Sequence, residues 1–219
     1  YNIKMNFFDK LSFSYLEYKI NHSYTNRLIK YGNSPKGLFW KNSFTQIQRF
    51  ELIITALNKY YNLNEFKICD IGCGYGKFLE FLKNKLSKSS FKYQGCDLNN
   101  KLIDFCKRKY CDRKFKFHKG SAPKENVDFS VMSGTYNLCV TCDINVWEKY
   151  LMKNLTSIWK KTDKMMAFNL LHHNDKKIKQ GLYYTNKNWI RSICEKSFGE
   201  TEIIISSILP DDILIIVRT

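Results

Sequence analysis

Residues 66–82 read FKICDIGCGYGKFLEFL, and this stretch decides the fold. A short apolar run ends in the acid Asp70. A loop with glycine at every second position follows, and a helical pattern of apolar residues begins behind it (Gly72, Gly74 and Gly76; Phe78, Leu79 and Leu82). This succession predicts a buried parallel strand, a tight turn and a helix whose N-terminal N–H groups face a ligand. A second acid, Asp97, closes the next apolar run and is placed to accept hydrogen bonds from a ribose.

Two classes of nucleoside cofactor bind to such an arrangement, and the spacing of the glycines distinguishes one class from the other. The dinucleotide fingerprint G-x-G-x-x-G, started at Gly72, needs a glycine at the position of Lys77. The sequence D-x-G-x-G-x-G instead resembles the first motif of the class I S-adenosylmethionine-dependent methyltransferases. The resemblance implies S-adenosyl-L-methionine as the cofactor. The alternative that the residues leave open is a structural turn in another α/β domain.

The length and the apolar pattern predict a single domain. A chain of 219 residues can bury one α/β core. We expect an N-terminal helical lead-in over residues 1–60 and a methyltransferase core over residues 61–219. No stretch approaches the ~18 apolar residues of a membrane span, and no charged-then-apolar leader opens the chain. The sequence therefore predicts a cytoplasmic protein without a membrane association.

The cysteines and the net charge limit which metals and partners we expect. The eight cysteines lie mainly inside apolar runs, as reduced cysteines do. Cys139 and Cys142 form one C-x-x-C without a second pair or a nearby histidine, so we expect no metal. The net charge of +16 comes mostly from scattered lysines, which favours a solvated surface over a nucleic-acid-binding face. An anionic small substrate fits this charge equally well.

The pattern from residue 67 onwards alternates strand and helix, which predicts a mostly parallel sheet covered on both faces. The expected strands are 67–70, 93–97, 114–118, 127–133 and 165–170, and the expected helices between them are 77–85, 100–110 and 146–161. Residues 202–206 and 213–218 read as a hairpin joined by the turn LPDD. Residues 1–31 read as one or two helices, and Asn42 or Ser43 can cap another. The resemblance implies the Rossmann-like class I α/β fold, with a mostly parallel seven-stranded sheet, a C-terminal antiparallel hairpin and N-terminal helices.

The resemblance also implies cofactor contacts at individual positions. The glycines would wrap the amino-acid half of the cofactor, Asp70 would orient the loop, and Asp97 would bind the ribose hydroxyls. Arg49 can hold the cofactor's carboxylate, and an ion pair of Arg49 with Glu51 or with neighbours of Asp70 is the open alternative. Ser121 stands where the family often places an acid that reads the adenine amine. The full expected set is Asp70, Gly72, Cys73, Gly74, Gly76, Asp97, Leu98, Ser121, Ser133, Gly134, Arg49 and Gln46.

The acceptor side of the expected site comes from three further stretches. Residues 127–137 match the family's fourth strand, without the Pro-Pro dipeptide of the base- and amide-methylating enzymes or the proline-preceded cysteine of the cytosine-ring enzymes. Residues 31–50 are similar to the lead-in of a group of little-characterised bacterial methyltransferases. A histidine after the fifth strand suits proton removal near neutral pH. The expected catalytic residues are His172, His173 and Tyr136, and the expected substrate contacts are Trp40, Asn137, Tyr183 and Tyr184.

Together these features predict transfer of a methyl group to a small molecule, with oxygen as the favoured acceptor atom. The acceptor would be anionic or sugar-linked, in secondary metabolism or surface-polysaccharide modification. Two alternatives remain open: an RNA methyltransferase that uses the lysine surface, and a cofactor-binding regulatory protein with this fold and no turnover. We expect a monomer or a homodimer.

Overall fold

The computed structural model describes residues 7–219, so residues 1–6 of the expected N-terminal helices lie outside the described part. The helices are α1 (Phe7–Tyr31), α2 (Ser43–Tyr60), α3 (Lys77–Lys85), α4 (Asn100–Lys109), α5 (Ile144–Trp159) and α6 (Lys187–Ser197), with a short 3₁₀ turn at Lys36–Leu38. The strands are β1 (Glu65–Ile71), β2 (Ser90–Asp97), β3 (Phe115–Lys119), β4 (Val127–Met132), β5 (Thr162–His172), β6 (Lys177–Lys179), β7 (Leu182–Thr185), β8 (Glu200–Ser206) and β9 (Leu209–Arg218). None of the helices between residues 7 and 219 combines the length and apolar character that a membrane crossing needs.

The sheet confirms the class I α/β fold. Strands β3, β2, β1, β4 and β5 are neighbours in this order and run parallel. Strand β9 lies antiparallel beside β5, and β8 lies antiparallel beside β9, which forms the expected C-terminal hairpin. Within the described residues the sheet has nine strands, not the expected seven. The additional pair, β6 and β7, lies at the carboxyl end of β5, and these strands are too short to show a period in the sequence.

Two hydrophobic cores lie on opposite faces of the sheet. Alternate residues of β1 point into them: Phe66 and Ile68 join one core, and Cys69 and Ile71 join the other. Helices α2, α3 and α4 contribute to the first core, and α1, α5 and α6 contribute to the second. Both faces of the central strands are therefore covered, which is why these strands read as nearly continuous apolar runs.

The turn of the terminal hairpin lies earlier in the chain than the sequence predicts. Ser206 pairs with Leu209, so Ser207 and Ile208 form the turn, and the LPDD stretch is the beginning of β9. Proline favours turns, but it is also tolerated near the start of a strand, where its missing N–H removes little pairing. This shift places Asp212 opposite Leu171 at the carboxyl end of β5.

Candidate active site

A cavity of about 570 Å³ opens at the carboxyl ends of the parallel strands, the edge where open α/β sheets bind ligands. The loops after β1, β2, β3 and β4 form part of its wall. Helix α1, the segment after the 3₁₀ turn, helix α2, strand β7 and the beginning of β9 form the rest. The volume lies within the ~300–1,000 Å³ of ordinary small-molecule sites.

The glycine loop has a backbone that only glycine adopts without strain. Gly72, Gly74 and Gly76 have φ angles of 75°, 57° and 80°. A Cβ atom at Gly72 would meet Thr135 at 2.8 Å, and one at Gly76 would meet the Tyr110 ring at 2.5 Å. At Gly74 it would clash with Leu38. The glycines are therefore required by their protein neighbours as well as by any ligand.

Asp97 ties the end of β2 to the glycine loop. Its Oδ2 atom accepts a hydrogen bond of 3.0 Å from the Gly74 N–H, and its Oδ1 atom accepts one of 2.9 Å from the Asn99 N–H. Burial raises the pKa of Asp97, and the backbone hydrogen bonds oppose this effect. The Asn99 amide donates to Thr25 of α1 at 2.9 Å, so the same corner anchors the N-terminal helix.

Asp70 lies beneath the loop and does not line the cavity. Its Oδ2 atom accepts a hydrogen bond of 2.7 Å from the Tyr93 hydroxyl. Burial raises the pKa of Asp70 to about 7; the charge of Asp97 adds to this and the Tyr93 hydrogen bond opposes it. Cys73 and Gly76 also lie outside the cavity lining. These three predicted cofactor residues therefore do not face the cavity in this structure.

Arg49 lies in the cavity wall, held by a partner from the far end of the chain. Its Nε atom donates to Asp212 Oδ2 at 3.0 Å, and Nη2 donates to the same oxygen. The guanidinium carbon lies 4.7 Å from the centroid of the Trp40 ring. A Cβ at Gly134 would lie 3.8 Å from Arg49 Nη1, so this nitrogen faces the turn after β4. The partner is Asp212, not Glu51 or a neighbour of Asp70.

A chain of hydrogen bonds continues from this ion pair to the turn after β4. Asp212 Oδ1 accepts from the Asn169 side-chain amide at 2.5 Å. Asn169 Oδ1 in turn accepts from the Gly134 N–H at 2.6 Å. Arg49, Asp212, Asn169 and Gly134, here called the polar chain, connect α2, β9, β5 and the loop after β4. Asp212 and Asn169 are both buried, so each needs the partners that it finds here.

Comparison with known proteins agrees with this geometry. Residues 68–162 match the family described as a methyltransferase domain. This match supports a class I S-adenosylmethionine-dependent methyltransferase domain in that segment. A curated Mycobacterium tuberculosis protein named "putative methyltransferase" is 23% identical over 139 residues, which are 62% of this chain and 82% of that protein.

Solved methyltransferase structures share the fold. The magnesium protoporphyrin IX methyltransferase of Synechocystis PCC 6803, solved with bound S-adenosylmethionine, superimposes with a TM-score of 0.60 at 14% identity, over 100% of this chain and 99% of that one. The CurJ carbon methyltransferase gives a TM-score of 0.55 at 11% identity, over 77% of this chain and 52% of that one. These two proteins are named for different acceptors, so the shared fold leaves the acceptor of this protein open.

Three buried polar atoms of the methyltransferase cavity fit a ligand. Asn21 Oδ1, Ser133 Oγ and the Tyr136 hydroxyl have no hydrogen-bond partner among residues 7–219, and all three residues line the cavity. Native proteins rarely leave such atoms unsatisfied. Burial raises the pKa of Tyr136, so its hydroxyl keeps its proton and can donate. The donor and acceptor atoms present suit S-adenosyl-L-methionine, the cofactor of this domain.

Four further predicted site residues do not reach the cavity. His172 Nε2 lies 3.1 Å from the Pro210 carbonyl oxygen, and His173 Nδ1 accepts from the Asp175 N–H at 3.2 Å. Gln46 is buried and accepts from the Tyr75 hydroxyl at 3.4 Å. The buried Tyr183 hydroxyl donates to Glu148 at 2.9 Å. Their sequence positions put them at the correct edge of the sheet, but the side chains turn towards other partners.

The cavity wall does contain the remaining predicted residues (Trp40, Arg49, Gly72, Gly74, Asp97, Leu98, Ser121, Ser133, Gly134, Tyr136, Asn137 and Tyr184). Asn137 is fixed in place, since its Oδ1 atom accepts from the Leu171 N–H at 3.1 Å. Sequence reasoning missed Asn21, Asp212 and Asn169. An asparagine inside an otherwise apolar strand was a usable signal for Asn169, but nothing local to residue 212 indicates its contact with Arg49.

Proposed function

We propose that this methyltransferase methylates an oxygen atom of a small-molecule acceptor. The observation that carries the proposal is the cavity of about 570 Å³. Helix α1 and the segment after the 3₁₀ turn contribute Asn21, Tyr24 and Trp40 to its wall, in addition to the loops that follow the strands. A site of this size with walls on several sides suits a compact acceptor better than a nucleic-acid helix.

Several residues would hold the cofactor. Gly72 and Gly74 bring the backbone close to it, Asp97 would accept from its ribose, and Arg49 would bind its carboxylate through the nitrogen that faces Gly134. The bound cofactor supplies a methyl group on a positively charged sulfur, already activated for transfer to a nucleophile. Leu98 and Ser121 line the same cavity and would contact the adenine.

The chain's own residues would mainly orient the acceptor. Trp40, Asn137 and Tyr184 line the cavity, and Asn137 is held by its bond to the Leu171 backbone. Correct orientation of two reactants contributes up to ~7–11 kcal/mol to the lowering of a barrier. The Tyr136 hydroxyl, kept protonated, would donate a hydrogen bond to whichever ligand lies beside it.

Calorimetry with the purified protein tests this proposal. S-adenosylmethionine and S-adenosylhomocysteine should bind with comparable affinity, and NADH should not bind. Gly74→Arg should abolish binding because the new side chain fills the loop. Asp97→Ala should weaken it by about 1.5–3 kcal/mol, because hydrogen bonds to a charged acceptor are lost.

The matched control is Asp104→Ala, an exposed acid on α4 that does not line the cavity. Mass spectrometry of incubations with candidate acceptors then looks for a product heavier by one methyl group. Binding without any product across small molecules and RNA would favour a regulatory, non-catalytic protein. A defined RNA as the sole methylated substrate would contradict the proposal.

A further inference from the structure

We propose that the acceptor is an apolar, planar aromatic molecule that carries a phenolic hydroxyl. This inference rests on the proposed function and names its substrate class. It departs from the anionic or sugar-linked acceptor that the sequence favours. The apolar residues of the cavity lining, the conformation of Phe39 and the positions of the proton-accepting side chains each support it.

The lining of the cavity contains a set of aromatic and aliphatic residues beside the backbone and polar groups of the strand ends. This apolar set is here called the acceptor wall (Phe39, Trp40, Leu182, Tyr184, Ile208 and Leu209). The charged residues nearest to it in sequence, Lys41 and Asp211, have opposite signs and so give no preference for an anion. A sugar would leave its hydroxyls facing this apolar wall unsatisfied.

Two residues of the acceptor wall have apolar side chains that are exposed to solvent. Phe39 is 39% exposed and Ile208 is 54% exposed. They come from different elements, the segment after the 3₁₀ turn and the turn between β8 and β9, yet both line the same cavity. Covering a large apolar side chain contributes about 1.5–3 kcal/mol. An apolar acceptor would gain this free energy on binding.

The strained backbone conformation of Phe39 determines the position of its ring. Phe39 has φ 60° and ψ 14°, the left-handed region that bulky residues avoid at a cost of about 1–2 kcal/mol. The ring contacts Tyr24 edge-on, with centroids 5.2 Å apart, and lies 4.5 Å from the Arg27 guanidinium. A strained conformation persists where function requires it. Here it holds an aromatic ring in the cavity wall.

The ring of Trp40 is fixed as well. The Arg49 guanidinium stacks on it at 4.7 Å, and a Cβ at Gly134 would lie 3.3 Å from its edge. Rigid aromatic walls favour flat ligands, because aromatic pairs gain about 0.5–1.5 kcal/mol beyond their buried area when their rings stack or meet edge-on. Phe39, Trp40 and Tyr184 therefore select a planar ring system.

The proton chemistry of the cavity points to a phenol. All four histidines lie outside the cavity lining. Among the wall carboxylates, Asp97 binds backbone N–H groups and Asp212 binds Arg49, while Asp211 is exposed. Such a site suits a hydroxyl that ionises readily, and a phenol has a pKa of about 10, like tyrosine. The phenolic oxygen would form the new bond to the methyl carbon as the carbon–sulfur bond breaks, and its proton would pass to water beside Asp211.

Three probes separate this acceptor class from the others: 2-naphthol, its saturated counterpart decahydro-2-naphthol, and N-acetylglucosamine. Their affinities are measured by calorimetry in the presence of saturating S-adenosylhomocysteine, and methylation is then followed by mass spectrometry with S-adenosylmethionine. We expect 2-naphthol to bind about tenfold or more tightly than either other probe, and to be the only one methylated.

Variants of the acceptor wall test the assignment of the residues. Ile208→Ser and Phe39→Asn, the latter chosen because asparagine tolerates the left-handed backbone, should weaken 2-naphthol binding by about tenfold and leave S-adenosylhomocysteine binding unchanged. Matched controls are Ile205→Ser and Phe44→Asn, whose side chains are 50% and 59% exposed and lie outside the cavity. These controls should bind 2-naphthol like the wild type.

The outcomes are distinguishable. Equal or tighter binding of the sugar, or wild-type affinity in both wall variants, would overturn the inference while the proposed function stands. Failure of the wild type to bind S-adenosylhomocysteine would overturn the proposed function and the inference together. Thermal unfolding of each variant shows whether it is folded, and Ile208→Ser alters a side chain that is 54% exposed.

Discussion

Arg49 and Asp212 illustrate how one residue acquires its role from a distant one. The two side chains are mostly buried and form an ion pair across 163 positions of the chain. Removal of one partner from a buried pair leaves an uncompensated charge, which costs up to about 3–5 kcal/mol. The pair also fixes which guanidinium nitrogen faces the turn at Gly134. The position of the cofactor's carboxylate would therefore depend on a residue that need not touch it.

The variant Asp212→Asn tests this dependence. It removes the negative charge but keeps an oxygen for the Asn169 amide. Arg49 therefore loses the carboxylate oxygen that accepts from both its Nε and its Nη2 atoms. We expect the Kd for S-adenosylhomocysteine, measured by calorimetry, to rise by about tenfold, with a lower Tm. The neighbouring Asp211→Asn should change neither. If Asp212→Asn binds the cofactor product like the wild type, the polar chain does not position Arg49 for the carboxylate.

Asp70 gives the fold a specific dependence on pH. Its pKa of about 7 in the folded protein compares with about 3.9 in an unfolded chain. Between about pH 4 and 7 the folded protein holds a proton that the unfolded chain has released, so this group's contribution to stability falls as the pH rises. Asp70→Asn removes the effect and can still accept from Tyr93.

Thermal unfolding of the wild type and of Asp70→Asn, without cofactor, measures how the contribution of Asp70 to stability depends on pH. The Tm of the variant minus that of the wild type should be smallest near pH 4, should grow up to about pH 7, and should then level off. A difference that stays constant with pH would show that Asp70 titrates normally in the folded state.

At the scale of elements, the sequence predicts the core better than the edges. Helix α3 begins and ends at Lys77 and Lys85 as expected, because glycine precedes it and its apolar residues keep helical spacing. Strands β1 and β5 are longer than expected, since exposed polar residues at their ends still pair with neighbours. Strands β6 and β7 depend on pairing with β5, which no local pattern reveals. Tertiary contacts decide these edges.

Some residues of the candidate site could likewise be predicted from the sequence, and others could not. Gly72, Gly74 and Asp97 could be placed because a contiguous motif and a fixed offset define them. His172 and His173 could not, because a position at the end of a strand does not determine which way a side chain turns. The contribution of α1 was also hidden, because its inner polar residues read as part of an irregular aromatic helix.

Helix α1 packs beside the cavity through the buried side chain of Phe13, so loss of this ring should loosen the helix. Phe13 is buried and its ring lies 5.6 Å from that of Tyr150, itself in the cavity wall. Phe13→Ala should cost about 3–5 kcal/mol of local stability. Hydrogen exchange of α1 should then speed up strongly while the central strands stay protected, and cofactor affinity should fall. The control Tyr15→Ala, on the exposed face of the same helix, should change neither measurement.

The whole molecule carries a net charge of +16. The salt dependence of RNA binding tests whether this charge forms a specific nucleic-acid interface. Binding of RNA through several phosphates falls log-linearly with salt. We expect weak RNA binding, without sequence preference, that disappears between low and physiological salt in a filter or anisotropy assay. Cofactor binding inside the cavity should change little over the same range. RNA affinity that survives physiological salt would make the lysine surface a specific interface.

Strand β9 lies between β5 and β8 and brings Asp212 to Arg49. During translation the ribosome completes the glycine loop, β5 and Arg49 long before it adds this strand. A nascent chain that stops short of β9 therefore lacks both the antiparallel neighbour of β5 and the partner of the arginine. A premature stop near residue 207 would leave the glycine loop and Arg49 in the product and still deprive the site of Asp212.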